Sequence, residues 1–291
     1  MASEQEIKEN RILKLNKLKE AGINPYPTKV KRDYNLDDVN KNFESLIKEK
    51  NNLSITGRVM AIRGHGSIVF VVLKEEDSEF QAVFKKDEMD ENIFDLFVEY
   101  VDIGDFVSVS GSLFLTQRGQ KSLLAESWEL ASKSLLPLPE KWHGLQDTEE
   151  RYRKRYLDLL INSELKDLFR QKAKFWQVTR NFMIDKGFLE VETPTLEITT
   201  GGAEATPFKT HHNDFDLDVY LRISVGELWQ KRLMAGGFSK TFEIGKVYRN
   251  EGSSSEHLQE FTNMEFYLAN ANYREGMELV KELYIKIAKT V

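Results

Sequence analysis

A change of hydrophobic rhythm near residue 53 constrains this chain more than any other feature. Upstream of it the spacing is helical: Val39, Phe43, Leu46 and Ile47 stand at i, i+4, i+7 and i+8, which predicts a helix over 36–49. From residue 53 the period drops to two. Leu53, Ile55, Gly57, Val59 and Ala61 alternate with polar or small residues, and the runs 68–73, 80–84, 106–114 and 122–130 behave alike. Glycines 64, 66, 104 and 119 lie near the turns, and one helical stretch, 88–101, interrupts the strands. A chain that turns this often in so few residues suggests a small closed barrel, and several small barrels would share the pattern.

Five short strands with one helical insertion suit a closed barrel of the OB type. A helix over 3–22, capped by Ser3 and ended by Gly22 and Pro25, precedes it, and Asn24-Pro25-Tyr26-Pro27 is stiff and extended. Leu135-Leu136-Pro137-Leu138-Pro139 reads as a linker, so the 291 residues divide into 1–142 and 143–291. Beyond the linker a long helix over 163–187 leads into the strand 188–191. A helix near 226–236, β-rich runs at 240–249 and 261–268, and a last helix over 273–289 follow. The predicted fold class is α+β: an N-terminal OB barrel, then an antiparallel sheet flanked by helices.

Hydrophobic residues make up 41% and charged residues 30%, with no cysteine, so disulfides and thiolate metal sites are excluded. No apolar run approaches the roughly 20 residues a membrane span needs, and MASEQEIKEN is no signal segment. A cytoplasmic address is expected by default. The net charge of −6 argues mildly against nucleic acid, although Arg151-Tyr152-Arg153-Lys154-Arg155 is a local basic concentration. A solvated helix face would explain that run equally well.

Two strand candidates joined by the polar loop 252–257 carry the most chemistry. Period two places Phe261, Asn263, Glu265 and Tyr267 on one face, and a hairpin brings Arg249 and Glu251 beside Phe261. Arginine holds phosphate oxygens bidentately and phenylalanine offers a flat surface to a nucleobase. An exposed face laced by ion pairs, Arg249 to Glu251 or Glu265, is the bland alternative. Thr199-Thr200-Gly201-Gly202-Ala203 would let backbone approach a ligand or simply turn. His211 and His212 point to opposite faces of a strand and lack a third ligand at metal spacing, so no metal ligand is assigned.

Arg249-Asn250-Glu251, His257 and Glu260-Phe261-Thr262 resemble motif 2 of the class II aminoacyl-tRNA synthetases, and Gly187–Pro194 resembles motif 1. The lysine-specific branch is indicated by three further segments: Arg151–Leu159, Gly201 through Asn213, and Gly22–Pro27. The resemblance implies ATP-dependent activation of lysine and its transfer to tRNA(Lys), with Mg2+ bridging phosphates. It implies that Arg249 holds the α-phosphate as the catalytic residue, Phe261 stacks under adenine, Glu251 accepts from its amine and His257 lies near the outer phosphates. Gly202 and Glu227 would receive the α-amino end of lysine, and Glu265 and Tyr267 its ε-ammonium. In the barrel, Phe70 would stack on an anticodon base with Arg63 and Gln81 beside it; plain barrel core is the other reading of Phe70. A homodimer through the motif 1 helix, about 169–187, is implied as well.

The chain departs from the family pattern at several places. Gly226 stands for a usual proline, with Val225 one residue extra; Leu258-Gln259 replaces Asn-Pro; Asn263 replaces a commoner methionine; Gln120 replaces a glutamate. Motif 3, a glycine-rich strand and helix with an ATP-binding arginine, is not found before Val291. The resemblance then implies that one wall of both pockets is missing, and the expectation is a fragment of a longer enzyme, inactive alone, or a natural truncation unable to activate lysine well. The rivals are an aspartate or asparagine enzyme, which would want arginine where Glu265 stands, and a non-catalytic RNA-binding barrel on a dimerisation scaffold.

Overall fold

The computed structural model describes residues 3–64, 66–139 and 145–291. Two compact units divide at Ser163 and Glu164. The boundary expected at 142/143 lies outside the described residues.

In the first unit Ser3 caps helix α1 (Glu4–Glu20) through a reciprocal capping box with Glu6, and Asn35 caps α2 (Leu36–Glu49). Strands β1 (Leu53–Arg63), β2 (Ile68–Glu75), β3 (Ser78–Lys85), β4 (Phe106–Leu115) and β5 (Lys121–Ser132) close in the order β1-β2-β3-β5-β4, with α3 (Glu91–Tyr100) inserted after β3. All neighbours are antiparallel except β3 and β5. Inward residues such as Ile55, Val71, Leu73, Phe84 and Val109 are fully buried and share one core with Phe43 of α2 and Phe97 of α3. The Phe84 and Phe97 rings stack 3.9 Å apart. The sequence-predicted barrel and its helical insertion are therefore both present.

A charged knot ties the chain beyond β5 back to the barrel. Lys133, fully buried, donates to Asp105 at 2.7 Å, Asp102 at 2.6 Å and the Tyr100 carbonyl at 2.8 Å. Lys14 reaches Asp102 from α1 at 2.6 Å. Burial alone raises the Asp102 carboxyl, but the Lys133 and Lys14 ammoniums outweigh it and hold the group below its ordinary value of 3.8. The stabilisation is therefore present above that ordinary value and lost as pH falls through the lower native one. Asp102→Asn should make the acid limb of urea-measured stability shallower than in the wild type; an unchanged limb would mean the knot does not stay ionised.

The basic run lies on α4 (Thr148–Arg153) and α5 (Arg155–Ile161). Arg151 and Arg155 both bind Asp158, at 3.1 and 2.6 Å, while Arg153 and Lys154 pair with Glu149 and Glu150. The run is neutralised by its own helices, as the helix-face reading expects.

The second unit begins with the long helix α6 (Glu164–Asp185) and strand β6 (Leu189–Glu190), which runs parallel to β10 (Lys240–Tyr248); β10 pairs antiparallel with β11 (Glu260–Leu268). A second small sheet has the order β7 (Leu196–Glu197), β9 (Leu217–Leu221), β8 (Lys209–His212). Helices α7 (Glu227–Ala235) and α8 (Tyr273–Thr290) complete the unit. Strand alternation divides the β10–β11 hairpin cleanly. Phe242, Ile244, Met264, Phe266 and Leu268 face Phe182, Met183, Leu279 and Leu283 from α6 and α8. The opposite face is left for the residues of the site.

Candidate functional site

Register fixes what lies on the open face of the hairpin. Phe261 faces Val247, Asn263 faces Gly245, Glu265 faces Glu243, and Tyr267 faces Thr241. The Arg249 amide extends the ladder to the Gln259 carbonyl at 2.8 Å. Its guanidinium carbon then sits 5.2 Å from the centre of the Phe261 ring, and its Nε donates to the Ile223 carbonyl at 3.3 Å. The expected pairing of Arg249 with Phe261 is present, and Arg249 makes no ion pair with Glu251 or Glu265 among the described residues. Glu251 turns instead to the Thr206 amide at 3.2 Å, and the neighbouring Asn250 amide donates to the Thr206 carbonyl at 2.8 Å.

The far end of the face is acidic. Glu265 Oε1 accepts from the Val225 amide at 3.0 Å and from Asn263 Nδ2 at 3.2 Å. Burial first, then the charges of Glu227 and Glu265, push the Tyr267 phenol up to about 12, so it stays a neutral hydrogen-bond donor at any physiological pH. Glu227, the first residue of α7, pairs with Lys231 and turns its other oxygen toward Gly202. Gly202 has φ +90°, and a Cβ there would overlap the side chains of Glu227 and Ser224. The glycine thus brings open backbone against a carboxylate and a hydroxyl, a cradle suited to an ammonium.

Arg222 and Glu243 are residues the sequence reading did not single out. The Arg222 guanidinium is buried and donates to Glu243 at 2.5 Å, to the Lys246 carbonyl at 2.8 Å and to the Thr193 carbonyl at 3.3 Å. Thr193 Oγ1 donates to the other Glu243 oxygen at 2.6 Å. The signal for Glu243 was a charged residue on the same strand parity as Thr241, Gly245 and Val247; Arg222, just past β9, gave none. Next to this pair the buried Glu197 carboxyl is raised by desolvation, with Arg222 pulling it down and Glu243 pushing it further up.

His257 folds onto its own loop, with Nδ1 2.8 Å from Ser254 Oγ, and is exposed. His211 lies on β8 between Asp216 at 3.3 Å and Asp218 at 3.4 Å, while the His212 ring leans on Phe215.

In the barrel unit Phe70 points outward with 37% of its surface exposed, whereas Val69 and Val71 on either side are buried. The core reading of Phe70 is thereby excluded. Arg63 is its direct cross-strand partner, and Gln81, paired with Val72, sits one diagonal step away on the same face. Gln81 Nε2 donates to Ser122 Oγ at 2.9 Å. Gln120 lies on the β4–β5 turn, bonded to Thr116.

A family model for the class II tRNA synthetases (D, K and N) matches residues 147–291, and one for the OB-fold nucleic acid binding domain matches 53–131. The lysine–tRNA ligase of Thermotoga maritima is 44% identical over 289 residues, 98% of this chain and 57% of the relative. That of Roseiflexus castenholzii is 44% identical over 287 residues, 98% of this chain and 58% of the relative. That of Moorella thermoacetica is 42% identical over 289 residues, 99% and 58% of the two chains. The chain thus spans somewhat under three fifths of the curated relatives it matches.

Proposed function

Because the chain belongs to the class II tRNA synthetases of the D, K and N group, we propose that it activates lysine with ATP and directs it to tRNA(Lys). One observation carries the choice of lysine. Glu265 and Tyr267 stand together at the far end of the site face, and among the described residues no cationic side chain pairs with Glu265. A half-buried carboxylate without a counter-ion favours a ligand that brings one. Aspartate would meet a like charge there, and the neutral amide of asparagine would leave the carboxylate without a counter-ion.

In the proposed reaction a lysine carboxylate oxygen attacks the α-phosphorus of ATP, forming lysyl-adenylate and expelling pyrophosphate. The terminal ribose hydroxyl of tRNA then attacks the acyl carbon and AMP leaves. No side-chain nucleophile is used; the residues position and stabilise charge. Arg249 neutralises the α-phosphate, Phe261 carries adenine, Glu251 accepts from its amine and His257 approaches the outer phosphates. Gly202 and Glu227 take the α-ammonium. Magnesium would supply charge neutralisation between phosphates. Among the described residues no three carboxylate or imidazole groups converge on one point, so it would be held mainly by the nucleotide and water. A homodimer through α6 and a cytoplasmic address belong to the same reading.

ATP–pyrophosphate exchange and equilibrium binding with lysine, aspartate and asparagine in parallel test the proposal. Response to lysine alone is expected; response to aspartate or asparagine would overturn the reading of Glu265. The anticodon reading of the barrel is tested separately. Phe70→Ala should leave the melting temperature nearly unchanged, because the ring faces outward. It should weaken binding of an anticodon stem-loop by about 1–3 kcal/mol, the usual worth of one base stacked on an aromatic. Filter binding with an unimpaired affinity would remove Phe70 from the RNA surface.

A further inference from the structure

Two donors from different elements, the backbone just before α7 and a side chain of β11, meet at one carboxylate oxygen. The Val225 amide and Asn263 Nδ2 both donate to Glu265 Oε1, at 3.0 and 3.2 Å. We infer that Asn263 and the Val225–Gly226 turn are positioning residues that set how long an amino-acid side chain the site accepts, by clamping one oxygen of Glu265 so that only the other can receive the substrate's terminal ammonium. The inference rests on the lysine reading given above.

Each half of the clamp is itself fixed. The Asn263 carbonyl oxygen accepts from the Met264 amide at 2.9 Å, so the opposite end of the amide, Nδ2, is turned toward Glu265. Val225 is fully buried, and Gly226 after it has φ +64°, a left-handed turn that leads the chain from the bonded Val225 amide into α7. No side chain fits at 226 without displacing Thr193, and its Cβ would come within 2.9 Å of Glu243. The turn is therefore locked from behind by the Thr193–Glu243–Arg222 network. Among the described residues no donor reaches Glu265 Oε2.

A free glutamate can swing about its χ angles to follow a shorter or longer cation. One held through Oε1 by two donors cannot, because a hydrogen bond to a charged group is stronger than one between neutral groups. Lysine and ornithine differ by one methylene in reach, so their affinity ratio reads the clamp directly.

The test is equilibrium binding of lysine, ornithine and ATP to the chain and to its Asn263→Leu and Asn263→Gln variants. Asn263→Leu should weaken lysine binding roughly tenfold, narrow the lysine-to-ornithine ratio, and leave ATP affinity unchanged. Asn263→Gln should restore part of the ratio. An unchanged ratio in a variant that still binds lysine would overturn the inference alone; a wild-type chain that prefers another amino acid would overturn the functional reading. A ligand-free measurement decides the clamp independently. The Asn263 side-chain amide protons should resonate as hydrogen-bonded and shift in Glu265→Gln, and a solvent-like resonance insensitive to that change would sink the inference.

Discussion

Arg222→Met is expected to destabilise the 164–291 unit by roughly 3–5 kcal/mol at neutral pH. The guanidinium is only 4% exposed, and it is the cation that pairs with Glu243, itself 4% exposed. Methionine keeps most of the apolar stem, so packing is largely preserved while Glu243 is left charged, buried and held only by Thr193. The nearby Glu197 worsens this state. Desolvation already raises its carboxyl above the ordinary value of 4.5, Arg222 lowers it, and Glu243 raises it. A raised carboxyl favours the folded state below its ordinary value and loses that benefit as pH climbs through the native one. Removing Arg222 pushes the Glu197 carboxyl further in this direction, so the penalty should shrink as pH falls toward 5. Urea unfolding at pH 7 and pH 5 measures this. A pH-independent loss would mean the defect is packing; a loss under about 1 kcal/mol would mean water already screens the pair. The double variant Arg222→Met, Glu243→Met should recover most of the stability, because a buried pair removed as a whole costs far less than one broken in half.

This pair also shows where sequence reading stops. The helix over 36–49 was legible to the residue from its apolar spacing, and the barrel strands were legible because alternation runs eight to twelve residues. Strand β7 has two residues, too few for any period to register, whereas β6, equally short, falls inside the expected strand 188–191. The site face was legible as Phe261, Asn263, Glu265 and Tyr267 because β11 is long and regular. The partners of those residues were not. Beyond the expected Phe261 ring, Arg249 takes the Ile223 carbonyl, and Glu265 takes the Val225 amide, contacts bridging 26 and 40 positions along the chain. Such choices depend on where a loop crosses the sheet.

Arg249→Ala should slow formation of the adenylate by roughly 10²–10³-fold, about 2.7–4 kcal/mol, the usual loss when one preorganised electrostatic partner of the transition state is removed. The argument is geometric. The guanidinium is anchored at one edge by the Ile223 carbonyl and lies over Phe261, so its orientation is set before nucleotide arrives. Charge gathers on the α-phosphate only as the carboxylate attacks, and a group already in place stabilises it without reorganising. Lysine binding should change little, because the ammonium end of the site is built from Glu265, Tyr267, Glu227 and Gly202, and Arg249 bonds to none of them. Arg249→Lys separates charge from shape. An ammonium keeps the positive charge but cannot lie flat on Phe261 or bind two oxygens in a fork. It should recover only part of the rate. Single-turnover release of pyrophosphate at saturating lysine and ATP distinguishes these outcomes. A full rate in Arg249→Ala would remove the residue from the chemistry. A full rate in Arg249→Lys alone would mean that point charge, not the planar fork, does the stabilising.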